Sequence, residues 1–234
     1  MKLKILYEDN DILVVYKPSG ISSQQERGRG MDMVSLIRNY LCIKGKNNIE
    51  PYVIHRLDKP VAGVMVYALN KKAAAALSND MQKKQIAKNY YAIVCNVPEN
   101  YSDDDKEHEL VDKIKRVGNN MSEIVSVDAD DKEAKIARLK YRIVKSFMKN
   151  EERLYLVDIN LITGRYHQIR AQFANAKASL YGDLKYGNNV QTGLQKEGVA
   201  LCAYKLTFSH PLTKKEMEFS IVPDNSIFDK AFSE

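Results

Sequence analysis

Ile12-Leu13-Val14-Val15-Tyr16 is an unbroken apolar run that stops at Lys17-Pro18-Ser19-Gly20. A short run closed by turn residues predicts a buried strand. Val64 to Leu69 repeats the pattern and predicts a strand covered on both faces. Between them the period changes. Val34, Ile37 and Leu41 recur at steps of three and four behind Asp32, a residue suited to cap a helix. Asn70 opens a second helix, with Ala73, Ala76, Leu77 and Met81 inward and Lys71, Lys72, Lys83 and Lys84 outward. Strands are expected again at Tyr90–Val94 and Leu154–Ile159, and a short helix carrying Ile169, Phe173 and Ala176 after Gly164. Leu201–Phe208 and Met217–Val222 predict a closing hairpin around His210-Pro211-Leu212-Thr213. Residues 22–31, 44–48 and 99–109 read as polar loops, and 118–135 as a hairpin or loop. Strands with a few interspersed helices, without regular βαβ alternation, indicate an α+β domain around a largely antiparallel mixed sheet flanked by helices. No repeat, linker or shift in composition divides residues 1–234, so a single domain is expected.

Composition narrows the class. With 44% hydrophobic and 28% charged residues, the chain is neither disordered nor fibrous. It lacks the run of about 18 apolar residues that a spanning helix needs. Met1-Lys2-Leu3-Lys4 leads straight into a strand pattern, which argues for the cytoplasm and against a membrane. Cys42, Cys95 and Cys202 are odd in number and far apart, so no disulfide framework is expected. The four histidines form no metal-ligand spacing, and no metal site is expected. Arginine and lysine number 36 against 30 acidic residues, a net charge of +6 that fits an anionic partner without naming one.

Three polar clusters can carry chemistry. In His55-Arg56-Leu57-Asp58-Lys59-Pro60, the flanking cations favour an ionised Asp58, the form a nucleophile requires. Asp-x-Pro is also ordinary turn chemistry, so Asp58 alone reads either way. In Gly164-Arg165-Tyr166-His167-Gln168-Ile169-Arg170, two arginines and a histidine crowd a helix start, where cations oppose the macrodipole. An anion is the natural compensation, either a carboxylate such as Asp58 or a phosphate; a solvated basic face is the other reading. In Lys88-Asn89-Tyr90-Tyr91-Ala92, strand alternation turns the two tyrosines to opposite faces, and one of them can stack on a base. Arg27-Gly28-Arg29-Gly30 lacks the third glycine of a dinucleotide loop and reads as a flexible basic loop.

Taken in order, HRLD-x-x-x-x-G, K-x-Y and G-R-x-H-Q-I-R resemble the signature of the RluA-type pseudouridine synthases. ILYEDNDILVVYKPSG, YGDLKYG and LCAYKLTFSHPLTKKEMEF extend the likeness from about Lys4 to Pro223. The resemblance implies the pseudouridine synthase fold with a central catalytic cleft, as a catalytic domain alone, without the small RNA-binding domain that some members carry in front. It implies an isomerase that flips a uridine out of rRNA or tRNA and converts it to pseudouridine without metal or cofactor, working as a monomer. Asp58 aligns with the nucleophilic aspartate, Tyr90 with the tyrosine that stacks on the target uracil, and Arg170 with the arginine that ion-pairs the aspartate. Arg56 aligns with the arginine that fills the space of the flipped nucleotide, and His55, Arg165 and His167 are further candidates for RNA contact. The chain departs from the family pattern at Val61-Ala62, where Thr-Ser is usual, and at Tyr166, where Thr or Ser is common. It departs again at Gln172, where histidine is usual, and at Ala178-Ser179, where His-Pro is usual.

Overall fold

The computed structural model describes residues 3–25, 30–99, 101–102, 106–118, 120–126, 128–187 and 198–233. The Arg27–Arg29 part of the basic loop and Asp103-Asp104-Asp105 lie outside the described residues. The chain divides into two compact units, residues 1–88 with 203–222, and residues 89–202 with 223–234.

The first unit holds β1 (Lys4–Glu8), β2 (Ile12–Lys17), α1 (Met33–Ile43), β3 (Tyr52–Val53), β4 (Ala62–Ala68) and α2 (Lys71–Gln82). It takes in most of β10 (Leu201–Ser209), and β11 (Glu216–Ser220). The strand order is β1-β2-β4-β10, with β3 added to β4 and β11 to β10. Every residue of β2 is buried, as the continuous apolar run predicts. Ile12, Val14, Val64, Val66 and Ala68 form one face of this sheet, on which Ala73 and Leu77 of α2 pack. The caps fall where the sequence puts them: Asp32 Oδ1 accepts from Ser35 N at 3.1 Å, and Asn70 Oδ1 from Ala73 N at 2.9 Å.

The second unit holds most of β5 (Ala87–Val94), then β6 (His108–Val117), β7 (Met121–Val125), β8 (Lys135–Lys149), β9 (Glu152–Leu161), α3 (Gln168–Asn175) and α4 (Ser226–Ser233). Its order is β5-β9-β8-β6-β7, and each of these neighbours runs antiparallel. β8 turns into β9 through Asn150 and Glu151, at φ 49° and 66°, the positive angles that a two-residue hairpin demands. α3 covers one face of the sheet, with Ala171 against Ile114 and Ala137, and Phe173 edge-on to Tyr141 at 5.4 Å. α4 covers the other face, where Phe232 meets Tyr91 edge-on at 5.4 Å.

One expectation needs correction: the loop expected over 99–109 gives way to β6 at His108. In the stretch 118–135, residues 121–125 form β7, which closes a hairpin with β6. β8, the longest strand, carries no apolar run. Its inward Ala137, Leu139 and Tyr141 alternate with charged residues, and pairing to β6 and β9 on either side holds it extended. Among the described residues no helix is long and apolar enough to cross a membrane.

Candidate active site

In the first unit the HRLD segment is a loop between β3 and β4, stapled at several points. Leu57 N donates to Ser23 Oγ at 3.0 Å, and the same hydroxyl donates back to Leu57 O at 2.7 Å. Val61 N donates to Asp58 O at 2.9 Å, closing a turn over Lys59-Pro60. Gly20 N donates to Lys59 O and Ser19 Oγ to Pro60 O, which tie this turn to the turn after β2.

Lys17 links the two turns from within. Its side chain is fully buried, and Nζ donates to the carbonyls of Pro18 at 3.0 Å, Ile21 at 2.6 Å and Lys59 at 3.2 Å. Burial pulls its pKa down to about 8, and the nearby Asp58 carboxylate opposes that fall. The attraction is mutual, so an ammonium held at this spot favours an ionised Asp58. Asp58 itself is half-buried, and Arg56 beside it is exposed.

His55 is buried, with Nε2 accepting from Val66 N of β4 at 3.3 Å. Burial, and the Lys88 ammonium after it, lower its pKa to about 3 and keep it neutral. The strand that follows Asp58 must pass close to β10. A Cβ on Gly63 would lie 2.5 Å from Ala203 O, and Gly63 sits at φ +148°. Glycine is required there by both space and backbone.

In the second unit Tyr90 is buried in a cross-strand row, with Tyr90 opposite Ile159 and Ile159 opposite Tyr141. Since Tyr141 touches Phe173, Tyr90 lies on the face that α3 covers, while Tyr91 turns to α4. The alternation expected of the tyrosine pair is thereby met.

α3 starts at His167, in the left-handed conformation at φ 50° and with no side-chain cap. His167 Nδ1 pairs with Tyr186 Oη at 2.9 Å, and that hydroxyl accepts from Ser122 N at 2.7 Å. Burial and then the Arg170 charge lower His167 to about 4, so it too is neutral. Arg165 is exposed, with Nε on Ile136 O at 3.0 Å.

Arg170 has a partner that sequence reasoning left unnamed. Asp183, in the Tyr-Gly-Asp segment after α3, takes Arg170 Nε and Nη2 side by side. Asp183 Oδ1 also accepts from Lys185 N and Tyr186 N, so one carboxylate orders both the arginine and the turn that carries Tyr186. The signal was the YGDLKYG segment itself, an acidic residue among glycines with no role assigned.

The departures from the family pattern are structured. Gln172 is fully buried: Nε2 donates to Asp112 Oδ2 at 2.7 Å, and Oε1 accepts from Gln168 Nε2 at 2.9 Å. Tyr166 stacks on His167 at 3.9 Å, and the Arg116 guanidinium lies over its ring at 4.5 Å. Away from these clusters, ligand atoms of Asp9, Asp11 and His210 come within 4.8 Å of one another. They are occupied by hydrogen bonds: His210 Nε2 meets Asp9 at 2.9 Å, and Nδ1 accepts from Leu212 N and Thr213 N.

The fold is shared with solved pseudouridine synthases. The human RNA pseudouridylate synthase domain containing 4 superposes with a TM-score of 0.76 over 98% of this chain and 92% of that one, at 21% identity. The RNA pseudouridylate synthase family model matches residues 11–175, which include all three clusters. Similar curated proteins include an uncharacterized RNA pseudouridine synthase of Mycoplasma pneumoniae, 30% identical over 97% of this chain and 69% of that protein. An uncharacterized RNA pseudouridine synthase of Aquifex aeolicus is 32% identical over 94% of this chain and 69% of that protein. Ribosomal large subunit pseudouridine synthase C of Rickettsia prowazekii is 30% identical over 79% of this chain but only 56% of that protein. The chain thus spans between about half and two thirds of the length of these relatives. It belongs to the RluA-type RNA pseudouridine synthases, isomerases that convert uridine in RNA to pseudouridine.

Proposed function

We propose that this chain isomerises uridine in ribosomal RNA, as a monomer in the cytoplasm and with residues 1–234 acting as one catalytic domain; transfer RNA is the other substrate class. In this reading Asp58 is the nucleophile, Tyr90 stacks on the flipped uracil, and donors of Arg170 not engaged by Asp183 orient the aspartate. Arg56, exposed beside Asp58, fills the space the base leaves, which offsets part of the unstacking cost of roughly a few kcal/mol. His55, Arg165 and His167 are RNA-side candidates, of which only Arg165 is exposed. The N1–C1′ bond breaks, the uracil turns, C5 bonds to C1′, and the C5 proton leaves while N1 takes one up.

The observation that carries this reading is the HRLD aspartate, half-buried in a doubly stapled loop beside a buried ammonium. The test uses ribosomal and transfer RNA tritiated at uracil C5. The expected result is tritium release to water by wild type and none by Asp58→Ala. Wild type that binds RNA yet releases no tritium would make the chain a silent RNA-binding protein, and free uracil would make it a hydrolase.

A further inference from the structure

Three long cations are buried among the described residues: Lys17, Lys88 and Arg170. Two of them have acceptors, three carbonyls for Lys17 and the Asp183 carboxylate for Arg170. Lys88 has none. It is only 9% exposed and makes no hydrogen bond or ion pair with any described residue. The other lysines of this stretch, Lys71, Lys72, Lys83 and Lys84, are all exposed. A solvated basic face accounts for those four and not for Lys88.

One neighbour, His55, offers it a donor rather than an acceptor. His55, 8% exposed, lies close enough to feel the Lys88 charge. Since His55 Nε2 accepts from Val66 N, its proton is on Nδ1, and that N–H is sealed with no partner among the described residues. The Lys88 ammonium is not among the sealed unpartnered atoms, so its tip keeps an opening to solvent although its stem is packed. Two neighbouring donors without an acceptor, one reachable from outside, describe a receptor for an anion. Burial lowers the Lys88 pKa, as expected of an ammonium held partly out of water.

We propose that Lys88, with His55 beside it, anchors a backbone phosphate of the RNA substrate. The proposal rests on the synthase reading for its ligand. A uracil carbonyl would satisfy a neutral donor, such as an amide or hydroxyl, equally well. A phosphate is the acceptor that compensates a buried full charge.

The experiment follows Lys88→Met and Lys88→Arg with uridine homopolymer RNA as the probe. Lys88→Met is expected to raise Tm in the absence of RNA, because an uncompensated buried charge is removed. Its binding should weaken, and the slope of log affinity against log salt should fall by about 0.7, the share of one phosphate on a single strand. Lys88→Arg should keep the slope. In wild type, the Lys88 13Cε resonance should titrate below those of the exposed lysines and shift to higher pH when the homopolymer is added. A lower Tm for Lys88→Met with an unchanged salt slope would overturn the proposal, and so would a wild-type titration that ignores RNA. Neither readout requires turnover, so failure here is separable from a wild type that releases no tritium.

Discussion

The Arg170 guanidinium meets the Asp183 carboxylate through two parallel hydrogen bonds, Nε to Oδ2 at 2.7 Å and Nη2 to Oδ1 at 2.6 Å, with side chains only 5% and 0% exposed. A bidentate pair of this kind fixes the plane of the guanidinium as well as its position. Asp183→Asn takes the bidentate carboxylate from a buried guanidinium and should cost about 3–5 kcal/mol in urea denaturation. Tritium release should fall more than RNA affinity, because the arginine loses its orientation. A stability loss below about 1 kcal/mol would show that the pair does not organise this unit.

Lys17 supports the HRLD loop by contacts and by charge together. Lys17→Met removes both, and we expect kcat to drop by roughly tenfold or more, at least about 1.4 kcal/mol of barrier. RNA affinity should stay near wild type, since the ammonium is enclosed. Affinity falling in step with kcat would instead place Lys17 on the RNA.

Gly63→Ala should be costly for its size. The new Cβ meets backbone atoms of Ala203 that cannot rotate away, at a positive φ that alanine disfavours. A loss of about 1–3 kcal/mol is expected from the overpacking alone. Tm and tritium release measured together test it, and a Tm equal to wild type would contradict the close approach.

Two neutral histidines make the fold acid-sensitive. His55 and His167 titrate near 3 and 4, against 6.5 when unfolded. Above pH 6.5 neither state is charged at these residues, and their contribution is constant. As pH falls below 6.5, the unfolded chain takes up protons that the folded chain refuses, so stability is lost with each step towards pH 4. The slope is at most about 1.4 kcal/mol per pH unit for each histidine. His167→Gln should flatten the fall between about pH 7 and pH 5 relative to wild type, and parallel curves would contradict it.

Tyr166 joins Arg116 to His167 in one stack. Tyr166→Ser, which returns a residue type common in the family, should cost about 0.5–1 kcal/mol through the lost cation–π contact. Turnover should change little. A large fall in kcat would make the stack part of the reaction.

The first unit was legible because its signals are local. Asp32 and Asn70 cap the helices that the three-and-four spacing predicts, and the unbroken runs of β2 and β4 are the buried strands. In the second unit β8 escaped notice, because its inward residues are separated by charges and its length depends on two neighbours. The candidate site was legible as motifs in order, with Asp58, Tyr90 and Arg170 each carrying a residue type suited to its chemistry. Their local partners were not. Asp183 lies 13 positions beyond Arg170, Lys17 lies far ahead of the loop it holds, and no spacing rule connects such pairs.

The amino-acid order by itself determined the class of elements, the family and the reactive residue types, since capping, periodicity and motif chemistry act between near neighbours. Only the tertiary structure decided which cations are enclosed and what each encloses. Lys17, Lys88 and the exposed lysines of α2 look alike in sequence, yet burial is a property of what packs around a side chain. That packing leaves Lys17 saturated with carbonyls and Lys88 buried without an acceptor among the described residues.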